Sequence, residues 1–234
     1  MYIAQANRRR ALLVPLHVTE GLVLRLDASN TNSYPGTGTT WFDLSGNDYD
    51  ATMYGTTSYD SGTNSINLGS SPHATNYVSI PLTPLNTLST WTIEIAMQRD
   101  ASNSIDSFFS GGPGNDMLCL FNGANLSIYN IATTDLAYSV TNGVPFLLTL
   151  TGTSNIIKIY KDGVYLGQMS NTTLLSPTST IGWVLGQEFD AVDGGFASTQ
   201  SFLGRYFAVR FYNKQLSQAE ITKNFEIDEI KFNL

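Results

Sequence analysis

The stretch LGQEFDAVDGGFASTQSFLG, residues 185–204, places three carboxylates, Glu188, Asp190 and Asp193, within six positions and follows them with Gly194 and Gly195. Oxygen-bearing side chains at short spacing, on a loop that glycines allow to bend, form a donor set for a hard cation such as calcium, which takes about six to eight oxygens. The plainer reading is a solvated turn between two strands. A second acidic group lies in FEIDEIKF near the C-terminus, with Glu226, Asp228 and Glu229. Glycoside hydrolysis uses two carboxylates flanking the scissile bond, as acid and nucleophile. Such a pair belongs on a central strand lining a cleft. Here the group follows a capped helix and reads as a solvated helix end with a tail. Glu94, on a strand of its own, lacks a carboxylate partner at alternating spacing. The one cysteine, Cys119, sits in the apolar run MLCLF and reads as a small core residue, so no intrachain disulfide forms. His17 and His73 stand in no motif. Neither cysteine-based catalysis nor zinc is expected from this supply of ligands.

Composition narrows the classes further. The chain has 234 residues, of which 42% are hydrophobic, 12% aromatic and only 13% charged. The charged share is about half the usual level, and Thr, Ser, Asn and Gly supply the polar surface instead. This composition buries a sizeable core and suits many short strands joined by many turns. The net charge of −7 argues against a general nucleic-acid binder, which needs a basic face. The only basic run is Arg8, Arg9 and Arg10, which reads as a contact to an acidic partner surface. No apolar run is long enough to span a membrane. In MYIAQANRRRALLVPLHVTEG the stretch ALLVPL is too short for a secretory signal and is interrupted by a proline. The expectation is a soluble protein that does not use the general secretory route.

These chemical groups need elements to position them, and the pattern from residue 21 is β. In TWTIEIAM, Trp91, Ile93, Ile95 and Met97 fall on one face and Thr92, Glu94 and Ala96 on the other. In IIKIYKDGVYLGQM, Asp162-Gly163 between two apolar runs predicts a hairpin with a two-residue turn. At least ten short strands at roughly even spacing predict an antiparallel sandwich or jelly roll rather than alternating strands and helices. One helix is expected, over about 217–230. Ser217 and Glu220 have the spacing of a capping box, and Ile221, Phe225 and Ile230 make the apolar stripe. The predicted organisation is an N-terminal arm over 1–18 and one sandwich domain over 19–234. Trp41 reads as packed on the sandwich, with Asp43, Ser45, Gly46 and Asn47 tying a turn, and Tyr34-Pro35-Gly36 as a turn with glycine at positive φ.

GLVLRLDASNTNSYPGTGTTWFDLSGNDYDATMYG, residues 21–55, resembles the opening of laminin-G-like, concanavalin A-like lectin domains, in a form found in structural proteins of tailed bacteriophages. VLGQEFDAVDGGFASTQSFLGRYFAVRFYNKQLSQAEI, residues 184–221, resembles the corresponding part of pentraxins. The resemblance implies a two-sheet antiparallel jelly-roll sandwich with one short C-terminal helix. It also implies one calcium ion. Glu188 and Asp190 would give carboxylate oxygens, Phe189 its backbone carbonyl and Gln200 its side-chain carbonyl. Asn115 and Asp116 of GGPGNDMLCLF stand where the family has an Asp-Asn pair, in swapped order. Ala197 replaces a further glutamate of the family, so the second calcium of a pentraxin pair is not expected.

The function these readings imply is non-enzymatic: a bacteriophage virion structural protein, as a capsid decoration, fibre or tail-associated subunit, located in the virion. Its arm, with Arg8 to Arg10, would dock on other virion proteins or exchange between like subunits. The alternative is a calcium-dependent module binding a host surface glycan. A glycan hydrolase is the remote alternative. Neither nucleic acid nor membrane is an expected partner. The opening loop carries its own expectation, that Glu188 and Asp190 meet Asn115 and Asp116 at one end of the sandwich.

Overall fold

The computed structural model describes residues 16–112, 117–129, 135–153, 155–170, 175 and 177–234. Asn115, Asp116 and Arg8 to Arg10 lie outside them. Among the described residues, sixteen strands run in the order β1 (Leu22–Asp27), β2 (Thr40–Trp41), β3 (Ala51–Tyr54), β4 (Ser58–Asp60), β5 (Ser65–Gly69), β6 (Tyr77–Ile80), β7 (Trp91–Arg99) and β8 (Asp106–Ser110). They continue as β9 (Leu118–Asn122), β10 (Asn125–Tyr129), β11 (Leu136–Ala137), β12 (Pro145–Gly152), β13 (Ile156–Lys161), β14 (Val164–Ser170), β15 (Trp183–Leu185) and β16 (Gly204–Tyr212). A helix, α1 (Gln218–Phe232), closes the chain. The strands form two antiparallel sheets of eight. One has the order β14-β13-β12-β7-β16-β5-β4, with β1 also on β16; the other runs β11-β10-β9-β8-β15-β6-β3-β2. The result is the expected sandwich with one C-terminal helix.

The core lies between the sheets. Trp91, Ile93, Ile95 and Met97 point into it as the alternation of β7 requires, beside Trp41, Trp183, Phe109 and Phe211. Phe109 stacks on Trp183 with centroids 5.1 Å apart and meets Phe211 edge-on at 5.8 Å. Each such ring removes about 150–250 Å² from water, which makes these aromatics a large part of the hydrophobic stabilisation. Cys119 is buried in the same core, and burial pushes its thiol far up. Asp162 and Gly163 both have positive φ, 51° and 75°, between Lys161 and Val164, which gives the two-residue hairpin the sequence predicts. Asp43 accepts from the backbone of Arg25, Ser45 and Tyr49, and Asn47 donates to the Val23 carbonyl, so this segment is a tied turn below a fully buried Trp41.

The helix departs from the expected stripe. Its capping box is present, with Ser217 accepting from the Glu220 amide and Glu220 from the Ser217 amide. Its buried residues are Ile221, Asn224, Asp228 and Phe232, whereas Ile230 is 83% exposed. An apolar periodicity misses this face because two of its four residues are polar. They are polar because the sheet beneath carries Glu94 opposite Arg210 in register on β7 and β16. Arg210 donates Nε to Glu94 at 2.7 Å and both terminal nitrogens to the two oxygens of Asp228. Asn224 donates to Glu94 at 2.9 Å. Asp228 is therefore not at a solvated helix end, and no tail follows the acidic group, because α1 runs on to Phe232. Burial pushes the Asp228 carboxyl up, but Arg210 and His17 outweigh it and hold it at about 2.

The last residues of the expected arm are seated in the domain. His17 Nε2 lies 2.7 Å from Asp228 Oδ1, and the Val18 amide donates to Asn224 Oδ1 at 2.8 Å. Both residues are buried. Among the described residues no helix is long and apolar enough to cross a membrane.

Candidate functional site

The loop after β15 is built by what the chain must do to leave the sheet. Gly186 has φ 92°, and a Cβ there would fall 2.1 Å from a methyl of Leu68. Only glycine takes both the turn and the close approach. The Gly186 amide donates to the Phe108 carbonyl, and the Phe202 amide donates to the Gly186 carbonyl at 3.1 Å. The segment is thus held between β8 and the chain entering β16. Gln187, fully buried, donates to the His73 and Asn76 carbonyls at 3.0 and 3.3 Å and so fastens the β5–β6 connection. Its Oε1 is buried with no hydrogen-bond partner.

Glu188 follows, buried, and accepts from Ser107 Oγ at 3.1 Å. Burial pushes its carboxyl up; the Ser107 hydroxyl opposes this, and the charge of nearby Asp190 adds to it. Ser107 also forms an isolated parallel bridge with Ser201. The short 3-10 turn Ser198–Gln200 precedes that bridge, so Ser107 touches both Glu188 and the chain that follows Gln200. Gln200 Oε1 is buried and accepts no hydrogen bond. Asn103 braces this turn, donating to the Ser198 and Ser201 carbonyls at 2.7 and 3.1 Å. Asp106 fixes the loop that carries Asn103, accepting from the Asn103 amide and from Arg99. Phe189 is buried against Phe196, with centroids 5.3 Å apart, while Asp190 is exposed.

Asp193 belongs to a different task. With φ 58° it sits in the tight turn bounded by the Ala191–Gly194 bridge. It accepts from the amides of Thr180 and Ile181 and from the hydroxyls of Ser179 and Thr180. These donors hold its carboxyl below the usual range. Of the three carboxylates, Asp193 therefore shapes a loop.

The charge of Asp190 acts on Glu188, neither has a basic partner among the described residues, and an orphaned amide oxygen is carried by the 3-10 turn that ends at Gln200. A carbonyl oxygen and two carboxylates are the right donors for a hard cation, and a cation would satisfy both the orphaned Oε1 and the like charges. Among the described residues no group of three or more His, Cys, Asp or Glu gathers, so such an ion would rest on amide and backbone oxygens as much as on carboxylates. Ser107, Asn103 and Gln187 were not expected at this site. Gln187 lies inside the motif, but the other two are serine and asparagine among many and become visible only through the pairing of β8 with β15.

Catalytic geometry of the hydrolase kind is not found on β7. Glu94 is fully buried, paired with Arg210 and bonded to Asn224, on the face covered by α1. Glycoside hydrolysis needs both carboxyls at the substrate.

Three solved structures indicate how widely this fold is shared. The sialidase of Trypanosoma rangeli, in complex with 2,3-difluorosialic acid as a covalent intermediate, is 14% identical, with TM-score 0.63 over 90% of this chain and 33% of that one. The binding domain of Paraclostridial mosquitocidal protein 1 is 14% identical, with TM-score 0.63 over 88% of this chain and 52% of that one. The binding domain of botulinum neurotoxin DC in complex with SialylT is 13% identical, with TM-score 0.61 over 89% of this chain and 52% of that one. The chain thus spans a third to a half of those structures, and at such identities the likeness is one of fold. A search of curated proteins found no match. A laminin G-type family model, described as concanavalin A-like lectin/glucanases superfamily, matches residues 72–222, and the chain belongs to that superfamily.

Proposed function

We propose that the chain is a non-catalytic, calcium-assisted glycan-binding module. The observation that carries this reading is the buried carboxyl of Glu188, with the charge of Asp190 near it, on a loop of a lectin-superfamily sandwich where Gln200, in the turn before β16, keeps a buried Oε1 without a hydrogen bond. Glu188, Asp190, Gln200 and the Phe189 carbonyl would hold the ion, and Asn115 and Asp116 are the further donors the resemblance implies. Bound there, calcium would fix the loop and offer open coordination positions to sugar hydroxyls. Two similar structures, a sialidase with 2,3-difluorosialic acid and a toxin binding domain with SialylT, support a sugar as the ligand class. The confinement of Glu94 and Asp228 to one sealed ion-pair network supports the absence of hydrolysis. The test is thermal melting with and without calcium, followed by a glycan array with and without chelator. A ligand that binds only the native state at about a hundred times its Kd adds about 2.7 kcal/mol. Melting temperature should rise with calcium in the native chain, and Asp190→Ala should abolish the rise without lowering the melting temperature in chelator. A calcium-independent melt would defeat the ion, and a silent array under both conditions would defeat the glycan.

The likeness of residues 21–55 to tailed-phage structural proteins favours a second, compatible reading: a subunit of a bacteriophage virion, docked through the arm that carries Arg8 to Arg10. Tail or capsid particles should retain the full chain and lose a version lacking residues 1–15. Equal retention of both would remove the arm from the attachment.

A further inference from the structure

An aromatic ladder leads from the candidate site to the surface. Phe189 packs on Phe196, and Phe196 meets Tyr77 edge-on with centroids 4.9 Å apart. Tyr77 stacks on Tyr54 at 4.5 Å with the rings within 10° of parallel. Tyr54 and Tyr77 are register partners on β3 and β6, and the residues that alternate with them, Met53 and Val78, point into the core. The two tyrosines therefore stand on the outer face of the sheet. Tyr54 ends the ladder and is 42% exposed.

The end of β2 explains why the outer side of Tyr54 stays open. Thr40 pairs with Thr52, and the Met53 amide donates to the Thr39 carbonyl. The pairing stops there, because Gly38 leaves the extended conformation before it can pair with Tyr54. Gly38 has φ 90°, and a Cβ on it would meet nothing within 4 Å. The segments around the ring, residues 33–42 and 51–59, carry no charge and are rich in threonine and glycine.

We propose that Tyr54, backed by Tyr77, is a stacking platform for the apolar face of a neutral hexopyranose ring. An aromatic face is electron-rich and attracts the polarised C–H bonds that a pyranose presents on one side. Tyr77 and Phe196 hold the ring in one orientation, so little freedom is lost on binding. Thr56 and Thr75, at the rim, keep acceptor capacity on their hydroxyls for sugar hydroxyl groups while donating to Asn76 Oδ1. Residues 33–42 and 51–59 offer no cation to pair with an acidic sugar, which selects a neutral one. This inference rests on the glycan-binding reading and names the subsite and sugar class of that reading.

The test is saturation-transfer NMR and titration with methyl β-galactopyranoside and with cellobiose. Saturating aromatic protons should transfer to the ring C–H protons of the sugar. Tyr54→Ala should weaken binding at least about tenfold, in line with aromatic stacking energies of about 1–3 kcal/mol. Tyr54→Phe, which keeps the ring and loses the hydroxyl, should bind within about threefold of the native chain. Melting curves establish that each variant folds. Sugar binding unchanged in a folded Tyr54→Ala variant would overturn the platform and leave the glycan reading standing. A native chain that binds neither probe and is silent on the array would overturn both. If Asp190→Ala abolishes calcium-dependent melting while probe binding survives, the platform stands and the ion is separate from it.

Discussion

At the residue scale, the least expected feature is His17, which lies in a segment that shows no pattern in the sequence. Its Nε2 faces Asp228, and its ring also feels Arg210 and Arg25. Burial, then Arg210, hold the imidazole below its ordinary pKa, although Asp228 pulls the other way. A histidine held low is neutral in the folded state, donating Nε2–H to the carboxylate. Its contribution to stability is complete above the unfolded pKa of about 6.5 and is lost as pH falls through the lower folded value. Melting temperature should therefore decline between about pH 7 and pH 5. His17→Gln retains a donor without the titration and should remove part of that decline. His73, also held low by burial, contributes in the same sense. An unchanged slope in His17→Gln would show that His17 is not the titrating group. Asp228 adds a separate window in the same sense. Its stabilisation is present above about pH 4 and lost as pH falls toward 2.

At the element scale, the strands were legible where large apolar residues alternate toward the core between the sheets. β7 shows this best, because Trp91, Ile93, Ile95 and Met97 alternate as predicted. The hairpin at Asp162-Gly163 was legible because a two-residue turn demands positive φ at both positions, which that pair accommodates. The helix start was legible from its capping box, but its buried face was not. Helical periodicity is read from apolar residues, and this helix buries Asn224 and Asp228 because Glu94 and Arg210 lie beneath it. Nothing in the sequence links position 94 to 210 and 228 until the sheet order is known. The candidate site divides in the same way. The loop of Glu188 and Asp190 announces itself by charge and glycine. The Tyr54 platform does not, because it depends on Tyr77 being its cross-strand partner and on β2 ending before it reaches Tyr54. Asp193 shows the limit of reading composition alone, because its carboxylate is engaged by the Ser179–Ile181 loop while resembling a metal donor in sequence.

At the scale of the whole molecule, the two outer faces of the sandwich have different roles. The face bearing β7 and β16 is closed by α1 and residues 16–18 through Glu94, Arg210, Asp228, Asn224 and His17. The face bearing β3 and β6 presents Tyr54 and adjoins the Glu188 loop. The proposed ligand surfaces thus lie across the core from this seal. The seal follows the rule for buried ion pairs. Removing one partner strands a charge and costs about 3–5 kcal/mol, whereas replacing all partners with apolar groups of similar volume is often neutral or stabilising. Asp228→Ala should therefore lower unfolding free energy in urea by about that amount, because Arg210 keeps only Glu94 and His17 loses its acceptor. Replacing Glu94 and Asp228 by leucine and Arg210 by methionine together should recover most of the loss, with the remainder reflecting Asn224 and His17 left short of partners. Sugar and calcium responses should persist in the triple variant, since neither surface is touched. A cost below about 1 kcal/mol for Asp228→Ala, the range of an exposed ion pair, would mean that Ile221, Phe232 and the capping box fasten the helix, and that the charges merely fill the space beneath it.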